Sequence, residues 1–311
     1  MDELVAAVRD HAGLRAKRAI AAVRRAVDAV DPRTGPGDDG AIVEVPGGGS
    51  MIVCGEAIHP SFVASDPRAA GMAAVLANVN DLAAMGAVPS GIVNTVVAPS
   101  PVADEALQGM AEAAVLYDVP IIGGHLTAHE GEPALSAFAV GHADRVLSVS
   151  RAEPGQDLVF ACCLDGRMRA DFPFFTTVAH QGPRLAHDVR LLAKVAREDL
   201  ASAAKDVSMA GSVGSLAMLL EPGRLGSEID LDRLPAPVGV SLDRWLLCFP
   251  TYGFWLATGS PGPCVDLFRS AGLAADVAGT VNGSGVLAMR TGNACREVFD
   301  LQQEPITGLW A

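Results

Sequence analysis

The stretch RAAGMAAVLANVNDLAAMGA, residues 68–87, is predicted to be the buried helix on which the first half of the chain folds. It consists almost wholly of small and apolar residues, so a helix made from it is apolar on most sides and must be covered by other elements. The preceding Ser65-Asp66-Pro67 provides a capping side chain and a proline where the first turn tolerates one. Gly86 and Pro89 end the helix.

Two polar residues interrupt this apolar helix. Asn78 and Asp81 are three positions apart and therefore share one helical face. A carboxylate in a buried position requires a hydrogen-bonding partner or a metal ion. The pattern leaves a structural and a functional role equally open for this pair.

Strands are predicted on both sides of the helix. AIVEV and SMIVCGEA flank a run of three glycines, which is a strong hairpin signal. Residues 2–30 carry apolar positions at helical spacing, and a second amphipathic helix follows the buried one. The predicted order is strand, strand, helix, strand, helix, strand, strand, with the later elements at 91–98, 104–118, 119–124 and 134–143. This order indicates an α+β layer with helices on one face of a sheet.

The second half of the chain also has an α+β pattern. We predict a domain boundary at the connector that begins at residue 150, with domains at 1–149 and 150–311. After it come an apolar strand at 158–163, a loop at 165–175, helices at 187–201 and 264–273, and a glycine-turned hairpin at 276–290.

Composition excludes several classes of protein. The formal net charge is −13, from 23 Lys plus Arg against 36 Asp plus Glu, so the basic footprint that nucleic acid requires is missing. The six cysteines form no CxxC pair, which argues against a zinc site and a disulfide scaffold. No apolar run reaches membrane-spanning length, and the first residues do not resemble a secretory signal. We therefore expect a cytoplasmic protein that binds neither nucleic acid nor membrane.

Acidic residues carry the chemical signal in this sequence. GPGDDGAIV, residues 35–43, places Asp38 and Asp39 between glycines, as either a solvated turn or a cation site. Magnesium prefers oxygen ligands and is often held by a few carboxylates together with substrate phosphates. The candidate metal ligands are Asp38, Asp39, Glu56, Asp81 and Asp206, with Asn78 and His125 beside them. The P-loop, GxSxG and HExxH motifs do not occur.

Four segments resemble a known family. They are GDDGAIV at 37–43, ANVNDLAAMGAVP at 77–89, VPIIGGHLT at 119–127 and DVSMAGSVGSLAMLL at 206–220. In this order and at these separations they are similar to the ATP-binding superfamily that contains aminoimidazole ribonucleotide synthetase, thiamine-monophosphate kinase, selenophosphate synthetase and the hydrogenase-maturation carbamoyl dehydratase. NDLAAMGAVP is the most specific motif, and the resemblance spans nearly the whole chain.

The resemblance implies a fold and a ligand. The fold is a mixed N-terminal sheet with helices on one face, which pairs across a homodimer, followed by a sandwich-like C-terminal α/β domain. The cofactors are Mg²⁺ and ATP, the ATP being a co-substrate bound between the domains. Carried over residue by residue, Asp38, Asp39, Asp81 and Asp206 bind the metal, with Glu56 as a further ligand. Nucleotide contacts fall on Gly37, Asn78, Gly123 and Gly124 as well as on Asp38, Asp39, Asp81 and Asp206.

Departures from the family concern the second substrate. His125 follows the glycine pair where the kinases have Asp, and it is the candidate catalytic acid or base. Met209 replaces the second acid of the kinase motif. We therefore predict an ATP-dependent phosphotransferase or synthetase whose small-molecule acceptor the sequence does not identify. The alternatives are a nucleotide-binding regulatory protein with reduced catalysis, and an activity like that of thiamine-phosphate kinase or selenophosphate synthetase.

Overall fold

The computed structural model describes residues 1–26, 37–46, 48–170 and 172–310. Its helices follow the predicted apolar periodicity, and Asp66 caps the central one by accepting from Ala69 N at 3.1 Å. The helices are α1 (Asp2–Arg9), α2 (Ala12–Lys17), α3 (Ala21–Ala26), α4 (Pro60–Ser65), α5 (Pro67–Ala84), α6 (Ser100–Tyr117), α7 (Val178–Gln181), α8 (Arg184–Arg197), α9 (Gly211–Leu220), α10 (Leu242–Leu247) and α11 (Pro261–Ser270).

The strands form three sheets in the described part of the chain. They are β1 (Ala41–Glu44), β2 (Ser50–Ile58), β3 (Val88–Ala98), β4 (Ile121–Ala128), β5 (Ala134–Ala143), β6 (Asp157–Cys162), β7 (Arg167–Met168), β8 (Phe174–Thr176), β9 (Ala203–Asp206), β10 (Gly226–Asp230), β11 (Phe249–Pro250), β12 (Gly253–Thr258), β13 (Ala274–Asn282), β14 (Val286–Thr291) and β15 (Ala294–Asp300). Both halves thus contain helices and sheets, which confirms the α+β class.

The chain divides into two compact units. The five-stranded unit comprises Asp39–Arg145 and Gly182–Ala193, and the seven-stranded unit comprises Met1–Asp38, Val146–Gln181 and Lys194–Ala311. This division differs from the predicted boundary at 149/150 in three places. Residues 146–149 fall in the seven-stranded unit. Residues 1–38 group with the seven-stranded unit because α1 packs against β15, where Arg9 Nη1 donates to Val298 O at 2.7 Å. Part of α8 groups with the other unit.

The sheet of the five-stranded unit has the order β1-β2-β5-β3-β4. β3 and β4 are parallel and the other pairs are antiparallel, so the sheet is mixed, as predicted. α5 packs against β2 and β5, and α6 packs against β3 and β4. The helices therefore cover one face and leave exposed apolar side chains on the other, among them Val93 and Phe138.

The seven-stranded unit has the sheet order β15-β14-β10-β13-β6-β12-β9. Its core gathers Phe160, Phe175, Trp245 and Trp255 around the inner strands. The predicted hairpin at 276–290 is wrong, because β10 lies between β13 and β14 and pairs with both. The predicted loop at 165–175 contains β7 and β8, which form a small sheet with β11. Among the described residues, no helix combines the length and the apolarity needed to cross a bilayer.

Candidate functional site

A buried polar framework joins α5 to the sheet of the five-stranded unit. Asn78 is fully buried, and its Nδ2 donates to Ala74 O at 2.8 Å and to Ala137 O at 3.2 Å. Its Oδ1 accepts from the Cys54 thiol, with Sγ at 3.4 Å. Because these bonds use both amide protons and the carbonyl oxygen, Asn78 locks the carboxyl-terminal half of α5 against β5 and β2.

Asp39 and Asp81 meet beside this framework. Asp39 lies just before β1, and Asp81 lies on α5, one turn after Asn78. Their carboxylates offer oxygen atoms within 4.8 Å of each other, and Asp81 is only 8% exposed. Two carboxylates this close disfavour each other's ionised form unless a cation or donors compensate for their charge. Paired hard oxygen donors fit Mg²⁺.

Glu56 on β2 is a third acid whose charge acts on the Cys54 thiol. Burial raises the pKa of the Cys54 thiol well above its ordinary value, and the negative charges of Asp81, Asp39 and Glu56 add to the effect. Glu56 lies two residues from Cys54 on β2, so the two side chains leave the strand on the same face. A raised thiol pKa disfavours the thiolate that a nucleophilic cysteine requires.

The glycine-histidine motif lies elsewhere in this unit. The register aligns His125 on β4 with Thr95, Ser136 and Ala57 on the successive strands β3, β5 and β2. Three strand spacings separate β4 from β2, or roughly 14 Å. His125 is exposed, and its Nε2 lies 3.2 Å from Thr127 Oγ1. Its register partners lie on the sheet face that the helices do not cover. Within one chain His125 therefore lies apart from Asp39 and Asp81.

The remaining predicted ligands belong to the seven-stranded unit. Asp38 Oδ1 accepts from Val149 N at 3.4 Å. Asp206 ends β9 at 6% exposure and accepts a hydrogen bond from the ammonium group of Lys205, which is 4% exposed. A buried carboxylate beside a buried ammonium is compensated in charge and held in one orientation.

Polar groups continue after Asp206 in the DVSMAG segment. Ser208 N donates to Ser215 Oγ at 3.0 Å, while Ser208 Oγ is buried and has no hydrogen-bond partner in the described part of the chain. Met209, which replaces the second acid of the kinase motif, is 49% exposed. The hydroxyl of Ser208 is therefore a donor available to a ligand.

Sequence reasoning missed two residues of these clusters. Cys54 is hydrogen-bonded to Asn78, but a lone cysteine in an apolar strand resembles ordinary core. Lys205 gave a detectable signal, because the chain has few lysines and this one lies inside the short buried strand β9. A charged residue in a fully buried strand requires a partner, which is Asp206.

The chain belongs to the AIR synthase related family. Residues 37–143 match the description "AIR synthase related protein, N-terminal domain", and residues 178–291 match "AIR synthase related protein, C-terminal domain". This confirms the resemblance found in the sequence. The two matched segments contain every candidate metal ligand and His125.

Relatives of similar sequence include an uncharacterised protein and a kinase. An uncharacterised protein of Synechocystis sp. is 34% identical over 279 residues, which cover 88% of this chain and 86% of that protein. A thiamine-monophosphate kinase of Rhodopirellula baltica is 30% identical over 216 residues, or 65% of each chain.

Solved structures share the fold. T. maritima PurL complexed with ADP matches with a TM-score of 0.75 at 20% sequence identity, over 87% of this chain and 46% of that one. The chain thus spans about half the length of that PurL. At this level of identity the structural similarity establishes the α+β fold. The relation to ATP-dependent kinases and synthetases rests on the family match.

Proposed function

We propose that this protein is a magnesium- and ATP-dependent phosphotransferase or synthetase that activates an oxygen of a small-molecule substrate. The observation that carries the proposal is the pair of carboxylates, Asp39 and Asp81, held within 4.8 Å of each other in a chain of the AIR synthase related family. Phosphoryl transfer demands positioning and charge neutralisation more than covalent chemistry by the protein. A preorganised carboxylate pair suits that demand.

The acidic residues have distinct tasks in the proposed reaction. When bound, magnesium neutralises charge on the phosphates of ATP. Asp39 and Asp81 hold the metal, supported by the closeness of their carboxylates, and Glu56 supplies a further carboxylate on the strength of its place in the sequence. Asp38 and Asp206 have the same role on the strength of the sequence motifs.

The neutral residues position the site. Asn78 fixes the helix that carries Asp81, because its amide is already bound to the backbone and to Cys54. We therefore assign it to orienting Asp81, in place of the direct nucleotide contact that the resemblance suggests. Gly37, Gly123 and Gly124 are proposed to let the backbone approach the nucleotide closely.

A homodimer is part of the proposal. The sheet face without helices exposes Val93 and Phe138, and a partner that covered it would remove this apolar area from water. His125 lies on β4 of the same sheet. We propose that His125 acts as acid or base at the carboxylate pair of the partner protomer. Mixing His125→Ala with Asp81→Asn protein then restores part of the activity, whereas action within one chain gives no restoration.

Turnover is tested by phosphate release with candidate acceptors. Wild-type protein is incubated with ATP and magnesium, alone and with thiamine monophosphate or pooled small metabolites that carry nucleophilic or carbonyl oxygens. The proposal expects acceptor-dependent release that disappears in Asp39→Asn and persists in Asp104→Asn, which removes an exposed carboxylate from α6. Release that is equal in Asp39→Asn and wild type contradicts the assignment of the carboxylate pair.

The exposed Met209 favours a second candidate. A side chain without charge or hydrogen-bonding groups replaces the acid that the kinases of this family carry at this point of the motif. In the alternative, the protein binds Mg-ATP as a regulatory subunit and has lost turnover. Tight binding without acceptor-dependent release, followed by release when Met209→Asp is introduced, supports this alternative over the enzyme.

A further inference from the structure

A buried carboxylate anchors the last described residues of the chain. Glu221 is 2% exposed, and its oxygens accept from Thr307 N at 3.0 Å, Thr307 Oγ1 at 2.9 Å and Gly308 N at 3.0 Å. Among the described residues Glu221 forms no ion pair, so these donors alone compensate for its burial. We call Thr307–Trp310 the strap.

The strap ends on the loop that contains the first predicted metal ligand. A Cβ atom added to Gly37 would lie 2.3 Å from Trp310 Cζ2 and 3.0 Å from Trp310 Nε1. The indole ring therefore occupies the space of a side chain at position 37. Gly37 also has a φ of +129°, a conformation that favours glycine. Ring packing and backbone conformation both require glycine here.

Asp38 is fixed from two directions. The preceding residue lies under the Trp310 ring, and its own Oδ1 accepts from Val149 N at 3.4 Å. The strap also contacts α3, since a Cβ atom added to Gly308 would lie 3.1 Å from Ala21 Cβ. The loop is thus held by a strap that is itself anchored by Glu221.

We propose that Trp310 is a positioning residue for Mg-ATP binding, acting through Gly37 and Asp38. This inference rests on the proposed function, which assigns the Asp38 loop to the metal and nucleotide. Without the ring, the loop that contains Gly37 and Asp38 is less ordered in the free protein. Mg-ATP binding must then order this loop, and the free-energy cost of doing so lowers the affinity. Mg-ATP binding also changes the surroundings of Trp310.

Intrinsic tryptophan fluorescence can report on Trp310 separately from the other two tryptophans. The chain has three tryptophans, and Trp245 and Trp255 are 2% and 0% exposed in the core, with their indole N–H groups bound to Pro235 O and Ser212 O. Trp310 is partly exposed. We expect Mg-ATP to change the emission of wild-type protein saturably, and to leave that of Trp310→Phe unchanged.

Calorimetric titration of Mg-ATP measures the positioning effect. Trp310→Ala should weaken binding by about tenfold or more, and Trp310→Phe, which retains a ring, should restore most of the affinity. Phe172→Ala is the control, since it removes an exposed ring of the same unit that packs on Phe249, with ring centroids 5.6 Å apart. Glu221→Gln should weaken binding in the same direction as Trp310→Ala.

The outcomes distinguish failure of the Trp310 positioning role from failure of the proposed function. If wild-type protein binds Mg-ATP while Trp310→Ala binds it equally well and the emission does not change, the positioning role is overturned and the proposed function stands. If wild-type protein does not bind Mg-ATP, the proposed function fails and this inference fails with it. Melting curves of each variant without ligand show that the comparison is made between folded proteins.

Discussion

At the scale of single residues, the Asp39 and Asp81 carboxylates place like charges close together in a partly buried setting. Asp39, Glu56 and Asp81 all raise the pKa of the Cys54 thiol through their charge. The same charges oppose one another, and a bound cation would relieve that opposition. On the proposed function, we therefore expect a bound cation to stabilise the folded protein.

Buried thiols give the folded protein a sensitivity to alkali. Burial in the core raises the pKa of Cys264 to about 12, above the value of 9.0 for a free thiol. Between these values the unfolded chain loses the thiol proton and the folded chain retains it, so stability falls as pH rises. Cys264→Ala should flatten this decline by up to about 1.4 kcal/mol per pH unit.

The decline is measured by urea unfolding at several pH values from neutral to strongly alkaline. Val265→Ala is the control, because it shortens a buried neighbour on α11 and retains the thiol. It should lower stability by a similar amount at every pH. A slope in Cys264→Ala equal to that of wild type would show that the thiol does not titrate between folding states.

At the scale of elements, two glycines let α5 and α6 approach closely. A Cβ on Gly71 would lie 1.9 Å from Ala106 O, and a Cβ on Gly109 would lie 1.9 Å from Arg68 O. Each glycine of one helix thus faces backbone of the other. The position of α5 matters for the site, because this helix carries Asn78 and Asp81.

Gly109→Ala should destabilise the protein by about 2 kcal/mol or more, although alanine has the better helix propensity. The helices must separate to admit the methyl group, and α5 must then move on the sheet. Gly262→Ala is the matched control on α11, where a Cβ meets nothing within 4 Å. It should leave stability unchanged or raise it by about 1 kcal/mol. Thermal unfolding distinguishes the two, and equal effects would contradict the close contact.

Local signals predicted most elements of the fold. The Asp66 cap, the glycines between β1 and β2, and the apolar stretch of α5 depend on neighbours in sequence, so the sequence reveals them. The failure at β13 and β14 has a different origin, because their separation depends on β10, a short strand some fifty residues earlier in the chain. Strand order of this kind is decided by distant pairing.

For the candidate site, too, the sequence reveals local motifs but not contacts between distant residues. Asp39 and Asp81 were identified from motifs, and their carboxylates lie within 4.8 Å of each other. Their role as metal ligands stays a prediction. His125 was assigned from its motif alone, and the sheet register that carries it away from the acids is a non-local property. The structural use of Asn78 likewise depends on Ala137, far along the chain.

At the scale of the whole molecule, the open sheet face predicts the oligomeric state. Phe138 is 43% exposed at the middle of this face. Phe138→Asp places a charge where a partner sheet would pack, and should convert a dimer to a monomer. Val115→Asp is the control, at an 81% exposed position on α6 on the other side of the sheet, and should remain a dimer. Sedimentation equilibrium measures both, and a monomeric wild-type protein would contradict the proposed dimer.

The central claim is that the Asp39 and Asp81 carboxylates bind Mg-ATP, and melting temperature tests it most directly. Wild-type, Asp81→Asn and Asp104→Asn proteins are compared with ATP, with magnesium and with both. Ligand at a hundred times its dissociation constant stabilises the folded state by about 2.7 kcal/mol, a shift of a few degrees at this chain length. We predict a shift that needs both components, is lost in Asp81→Asn and is kept in Asp104→Asn. No shift in wild type, or an undiminished shift in Asp81→Asn, would contradict the account.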